Sequence, residues 1–412
     1  MRPRALSPVV EAALKTHPVV VVTGGRQTGK TTLVRDLIAS GPREFVTLDD
    51  LDALELAQRR PHDLLARSPR LTLDEVQRVP ELLLSIKKDV DRRRIVGRFL
   101  LTGSANLHLM RGVADSLSGR AVYLVLSPFT VGEKRGEGTV PSWTELFRLR
   151  RADEVVEWAS EDSHPKVDWP LEVLRGGMPR AVLARTARER YAWFDGFVQT
   201  YLERDLRDVS QVASLPDFKR LMELAAHRVG QLINQTDLGR DAGLSQATAH
   251  RYLNLLETTY QTRRLRAYSV NPSKRLIKAP KLYWRDAGLC AHLAGLADKR
   301  EARGSSLMSP LLENLVLSGL DAWAEASRSR PGVFYWRTAG GAEVDFVVEQ
   351  SRRLLPIEVK SSKRVSLAEL KHLELFLSDY STRTSFAIVL HDTTEPRKLT
   401  QQVVALPVTK FL

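Results

Sequence analysis

Apolar residues follow two rhythms along this chain. From the N-terminus to Leu126, short apolar runs bounded by breakers alternate with amphipathic stretches, which predicts a parallel sheet with crossover helices. The runs are Pro18 to Val22, Glu44 to Asp49, Arg70 to Glu75, Gly97 to Ser104 and Arg120 to Leu126, with helical spacing between them, as at Glu81 to Arg93. From Ser127 to Trp169 the pattern loosens into polar, breaker-rich loops at Gly132 to Gly138 and Ser160 to Lys166. Helical spacing returns in Tyr191 to Val209, where Phe194, Phe197, Val198, Tyr201 and Leu202 share a face suited to core packing. Pro216 to Tyr268 then reads as a short helix (Leu232 to Ala242), a turn at Gly243-Leu244-Ser245, a second helix (Gln246 to Leu256) and a basic strand (Gln261 to Tyr268). The last stretch predicts a helix at Pro310 to Leu317 and strands at Val333 to Arg337, Glu343 to Val348, Leu354 to Lys360 and Ser385 to Leu390. A hairpin turn at Ala339-Gly340-Gly341 and a helix at Leu367 to Leu377 complete an α/β sandwich.

The first apolar run leads directly into Gly24-Gly25-Arg26-Gln27-Thr28-Gly29-Lys30-Thr31, and a helical pattern opens at Thr32. Strand, glycine loop, Gly-Lys-Thr and helix form the context that a phosphate-binding loop requires. Glycines let successive backbone N–H groups and the helix N-terminus face one anion, so Gly24 to Thr32 are the expected nucleotide-binding residues. Lys30 reaches the outer phosphates of ATP, and the Thr31 hydroxyl ligates Mg²⁺. The third run ends in Asp74-Glu75, the two acids of a hydrolysing site: Asp74 holds the Mg²⁺ through water, and Glu75 polarises the attacking water. Thr102 and Ser104 end the fourth run, where a hydroxyl either senses the γ-phosphate or caps the next helix. Arg120, just before the fifth, is either an arginine finger acting on a neighbouring subunit or a surface partner of Asp115.

A second constellation lies near the C-terminus. In Glu343-Val344-Asp345 both acids project from one strand face, and Glu358 and Lys360 share a face for the same reason. Asp345 and Glu358 on neighbouring strands are suited to share a divalent ion, with Glu313 as a further ligand and Lys360 placed to activate water or steady phosphate charge. Metal-dependent nucleases of the restriction-enzyme type use this arrangement. The competing reading is a surface salt bridge between Glu358 and Lys360.

The chain has 412 residues, too many for one ordinary core, with 43% hydrophobic and 27% charged residues as in globular proteins. Three segments are expected. Residues 1–170 form a P-loop domain, 171–306 a helical linker with a winged helix-turn-helix at about 216–268, and 307–412 an α/β domain like a restriction nuclease. Gln246, Thr248, His250 and Arg251 face DNA if the winged helix reads it; otherwise the motif packs between domains. A net charge of +13 favours a polyanionic partner such as DNA, through clusters including Arg263-Arg264, Lys274-Arg275 and Arg352-Arg353. The single cysteine, Cys290, excludes an internal disulfide. No apolar stretch is long enough for a membrane span and the N-terminus lacks a secretory core, so the expected location is the cytoplasm.

Nearly the whole chain resembles a large family of prokaryotic AAA-type ATPases that join a P-loop domain, a winged helix and a C-terminal domain of restriction-nuclease type. The resemblance rests on Gly24 to Thr31, Leu73-Asp74-Glu75, Leu101-Thr102-Gly103-Ser104, Gly176-Gly177-Met178-Pro179, Tyr201-Leu202-Glu203-Arg204-Asp205, and Glu343-Val344-Asp345 with Glu358-Val359-Lys360. It implies ATP binding and hydrolysis without a settled substrate. A homo-oligomer is expected, in keeping with a finger at Arg120. Met178 stands where an aromatic is common, and Gly132 to Gly138 is a charged insertion.

Overall fold

The computed structural model describes residues 2–38, 41–103, 117–141, 143–161, 167–202, 212 and 214–412. Two compact units make up the chain: residues 1–129, 133–139 and 255–261 form the first, and 130–132, 140–254 and 262–412 the second.

The first unit is built on β1 (Val19–Thr23), β2 (Glu44–Thr47), β3 (Leu71–Asp74), β4 (Phe99–Gly103) and β5 (Ala121–Val125). They form a wholly parallel sheet in the order β2-β3-β4-β1-β5. Side chains alternate across each strand, so Val19 and Val21 enter one apolar core with Leu73, Leu101 and Ile86. Val20 and Val22 enter a second core with Leu100, Leu124, Val10 and Leu14. Burial on both faces explains why the central strands β1, β3 and β4 read as largely apolar runs. The register pairs Val19 with both Phe99 and Ala121, which gathers the carboxyl ends of β1, β3 and β4 at one edge of the sheet. Open parallel sheets bind ligands outside that edge.

In the second unit, helices at Leu215–His227, Gln235–Asp241 and Gln246–Thr258 precede an antiparallel ribbon of β6 (Thr262–Leu265) and β7 (Lys281–Trp284). The end of the third of these helices, from Leu255, belongs to the first unit. β7 is absent from the sequence reading. The Gly176-Gly177-Met178 turn has a packing cause: the Asp286 carboxylate accepts hydrogen bonds from the amides of Gly177 (2.6 Å) and Met178 (3.1 Å). Gly176 has φ 61°, and a side chain on it would collide with Asp286 Oδ1 at 2.3 Å.

The C-terminal sheet runs β12-β13-β11-β10-β9-β8 and is mixed. Its strands are β8 (Gly332–Arg337), β9 (Glu343–Gln350), β10 (Arg353–Lys360), β11 (Ala387–His391), β12 (Arg397–Lys398) and β13 (Val403–Pro407). The helix Met308–Ala326 lies against β10. Leu373, Phe376 and Leu377 fill a core with Val344, Val389 and Val403. β13, fully buried, extends the sandwich beyond the expected strands.

Several of the basic clusters have internal partners in this unit. Arg263 pairs with Asp321, Arg264 donates to Asn254 (2.6 Å), and Arg275 to Glu349 (2.9 Å). Arg353 donates to the Leu149 carbonyl (2.9 Å) and to Ser385 (3.1 Å). Cys290 is buried. Among the described residues no helix is long and apolar enough to cross a membrane.

Candidate nucleotide site and the C-terminal acid cluster

The loop after β1 turns on two glycines with left-handed backbones, Gly24 (φ 145°) and Gly29 (φ 93°). A Cβ at Gly24 would stand 2.4 Å from the Leu126 carbonyl oxygen, which leaves room only for glycine. Gly24→Ala is therefore expected to destabilise the first unit by about 1–3 kcal/mol and to weaken nucleotide binding. Thermal unfolding and nucleotide titration measure the two effects, and an unchanged melting temperature contradicts the close approach.

Lys30 is buried, with its ammonium donating to the carbonyls of Gly24 (3.1 Å) and Gly25 (2.8 Å). Thr31 donates to both Asp74 oxygens, at 3.1 and 3.0 Å. This joins the two expected Mg²⁺ residues across 43 positions of sequence. β4 lies between β1 and β3, so Thr102 sits beside the acids. Its hydroxyl donates to Asp74 Oδ1 and accepts the Glu75 amide at 3.1 Å. Thr102 thus orders both acids. Glu75 holds a left-handed backbone (φ 58°, ψ 43°), unusual for a residue with a side chain, and its carboxylate accepts from Gln77.

Arg120 lies at the amino end of β5, at the sheet edge opposite the phosphate loop, and Asp91 holds its guanidinium at 2.5 and 3.0 Å. It is not brought to the nucleotide residues of its own chain. Ser104 lies outside the described residues, as do Asp115 and Glu203-Arg204-Asp205.

Three supports of the loop went unread in the sequence. Buried Arg4 donates to the carbonyls of Thr28 (2.8 Å) and Ser127 (2.6 Å) and to Glu133 (3.1 Å), tying the loop to the exit of β5. Thr47 of β2 donates to Asp74 at 3.4 Å. Tyr260, with φ 58°, shares a 2.8 Å hydrogen bond with Thr23 at the end of β1. Its carbonyl lies 3.5 Å from where a Gly25 Cβ would stand.

The C-terminal acids also converge, but around a residue absent from the sequence reading. On β7, Lys281 and Tyr283 alternate onto one face. The Lys281 ammonium pairs with Glu343 (2.6 Å), Glu313 (3.2 Å) and Asp345 (3.6 Å), and Tyr283 donates to Glu313. Asp345 also accepts the Val359 amide at 2.9 Å. Glu358 takes Lys360 at 2.8 Å through one oxygen, while its other is buried without a partner.

Burial, then Asp345, pushes the Glu313 carboxyl up to about 7 and the Glu358 carboxyl up to about 8. Burial alone would lower Lys281, but Glu313, Asp345 and Glu343 outweigh it and hold the ammonium charged. Among the described residues no three His, Cys, Asp or Glu side chains stand in metal-holding geometry. In this arrangement the Lys281 ammonium stands among Glu313, Glu343 and Asp345, three of the acids expected at the shared ion. Glu343 is turned to Lys281 and to Arg337 (2.7 Å). The strand signal for β7 was available in Lys281-Leu282-Tyr283-Trp284, but the acids that Lys281 meets lie 32 to 64 positions away.

Residues 16–134 match an AAA domain. Two domains of unknown function follow, DUF8612 over 167–300 and DUF4143 over 308–411. The uncharacterized protein Rv2008c of Mycobacterium tuberculosis is 32% identical over 357 residues, covering 86% of this chain and 73% of that protein. The uncharacterized protein Mb2031c of Mycobacterium bovis matches to the same extent. This chain belongs to their family. Its first unit is an AAA-type P-loop domain, with the parallel sheet and loop described above. Among solved structures, the Walker-type ATPase PABY2304 of Pyrococcus abyssi is similar at a TM-score of 0.45 and 15% identity, covering 71% of this chain and 98% of that one.

Proposed function

We propose that this family member is a Mg²⁺-dependent ATPase whose nucleotide state governs binding of DNA by the residues after the AAA domain. The observation that most supports hydrolysis is the hydrogen-bonded set Thr31, Asp74, Thr102 and Glu75 beside a complete phosphate loop. Backbone amides from Gly24 to Thr32 bind the phosphates, and Lys30 exchanges its loop carbonyls for the outer phosphate oxygens. Thr31 and Asp74 are the residues that would hold Mg²⁺, which neutralises phosphate charge when bound. Glu75 takes a proton from the attacking water at its carboxylate. Arg120, remote from the loop of its own chain, serves the nucleotide of a neighbouring subunit in a homo-oligomer.

For the output, Tyr260 supports coupling: it touches the phosphate loop and closes the segment that follows the helix Gln246–Thr258. On that helix Gln246, His250 and Arg251 are exposed and Thr248 is half-buried, which suits a nucleic-acid face. Lys281 among the acids supports binding without cleavage. A second reading is a nucleotide-controlled switch for protein partners with an inactive nuclease-like domain, favoured by the internal pairing of Arg263, Arg264 and Arg275.

ATP turnover measured with duplex, branched and single-stranded DNA at low salt separates the readings. DNA binding, with at least one structure changing turnover about twofold or more, is the expected result. If no DNA binds or alters turnover, the DNA reading fails and the protein-partner switch stands.

A further inference from the structure

Arg190 is buried, with 8% of its surface exposed, yet its guanidinium makes no hydrogen bond or ion pair among the described residues. A buried cation without a counter-ion carries a large desolvation cost, so an unmatched one points to a ligand that completes it. Burial, then the neighbouring Arg175, lowers its pKa below that of an ordinary guanidinium.

Arg190 lines an open cavity of about 290 Å³ in the second unit. Arg175, Arg185 and Lys299 line it too, against one carboxylate, Asp298. That carboxylate is already engaged, accepting the amides of Arg300 (2.7 Å) and Glu301 (3.0 Å) at the start of its own helix. Arg175 reaches Glu172 only at 3.4 Å, and Lys299 pairs with the partly exposed Asp168. The amino end of the 14-residue helix Ala187–Thr200 also borders the cavity at Ala187, adding its positive dipole. Glu172 and Asp168 thus balance Arg175 and Lys299, and among the described residues Arg190 and Arg185 are the two cations of the cavity without a carboxylate partner, a pair that a dianion balances.

We propose that this cavity, remote in sequence from the phosphate loop, is a binding site for a phosphate monoester, anchored by Arg190 with Arg185, Arg175 and Lys299 around it. A guanidinium fork matches two phosphate oxygens, and Arg190, the most buried of the four cations, suits a terminal phosphate rather than a diester running across a surface. The monoester is either that of a free nucleotide or that of a 5′-phosphorylated nucleic-acid end.

The test uses full-length protein carrying Lys30→Ala, so that the phosphate loop does not contribute. Calorimetric titration with inorganic phosphate, with chloride at equal ionic strength as the control, is expected to show one saturable site. Arg190→Gln is expected to weaken it about 10- to 100-fold. Lys299→Gln, at a partly exposed position that leaves the fold intact, is expected to weaken it about 3- to 10-fold. Absence of saturable phosphate binding, or binding unmoved by both substitutions, overturns the proposal; if Arg190→Gln fails to fold, the Lys299→Gln result decides. Adenosine monophosphate and paired oligonucleotides with 5′-phosphate or 5′-hydroxyl ends then identify the source. Preference for the mononucleotide or for the 5′-phosphate supports the site, whereas equal binding of both oligonucleotides without mononucleotide binding shows backbone charge alone and refutes it.

Discussion

Glu75→Gln is expected to lower ATP turnover by about 10²- to 10³-fold while nucleotide affinity stays close to that of the unaltered protein. The substitution keeps the side chain's size and removes only its basicity. The Glu75 amide, held by Thr102, is untouched, and an amide oxygen at position 75 still accepts from Gln77. The left-handed turn at φ 58° is a backbone property, which Glu and Gln tolerate alike. Loss of turnover with retained binding therefore isolates proton abstraction from phosphate recognition. Steady-state turnover beside equilibrium titration with a fluorescent ATP analogue measures both. Turnover within about threefold of the unaltered protein would mean that Glu75 serves the turn and not the chemistry.

Lys281→Met is expected to destabilise the second unit by about 3–5 kcal/mol, the usual result of removing one partner from a buried charge cluster. Lys281 is 3% exposed and sits among Glu313, Glu343 and Asp345, so its loss leaves mutually repelling acids with little solvent. Adding Glu313→Gln to Lys281→Met should recover part of the loss, because the two residues share one interaction. Chemical denaturation of the single and double variants checks this; additive effects contradict a shared cluster.

The same cluster has a pH signature. Glu358, pushed up from 4.5 to about 8 by burial and by Asp345, binds its proton more tightly folded than unfolded. Its stabilising contribution is full below about pH 4.5 and is lost as pH rises through about 8. Glu358→Gln should therefore gain stability relative to the unaltered protein between those limits, and a difference independent of pH over that window speaks against the buried carboxyl.

Local physics made much of this protein legible in advance. A glycine loop between an apolar strand and a helix is written in contiguous residues, because phosphate recognition there uses the backbone of one turn. Asp74 and Glu75 follow from a strand ending in acids. The central strands β1, β3 and β4 were readable because both sheet faces are covered there, which makes them largely apolar runs. Glu343, Asp345, Glu358 and Lys360 were found by period-two alternation on two neighbouring strands.

Contacts between distant segments could not be read this way. Nothing near Arg4 marks it as a brace for Thr28 and Ser127, and nothing near Tyr260 marks it as the partner of Thr23. Arg263 and Arg264 look like a basic face until Asp321 and Asn254 are seen beside them. β13 is not among the strands expected from sequence, and its parallel pairing with β11 shows it to be core.

By itself, then, the sequence determined the nucleotide loop, the acids that accompany it and the two kinds of sheet, because periodicity and backbone chemistry act over a few neighbouring residues. Tertiary structure alone decided which cation stands among the C-terminal acids and which buried arginine has no anionic partner among the described residues. Charge balance in a buried site is a sum over side chains brought together by folding, and the sequence records their identities without their distances.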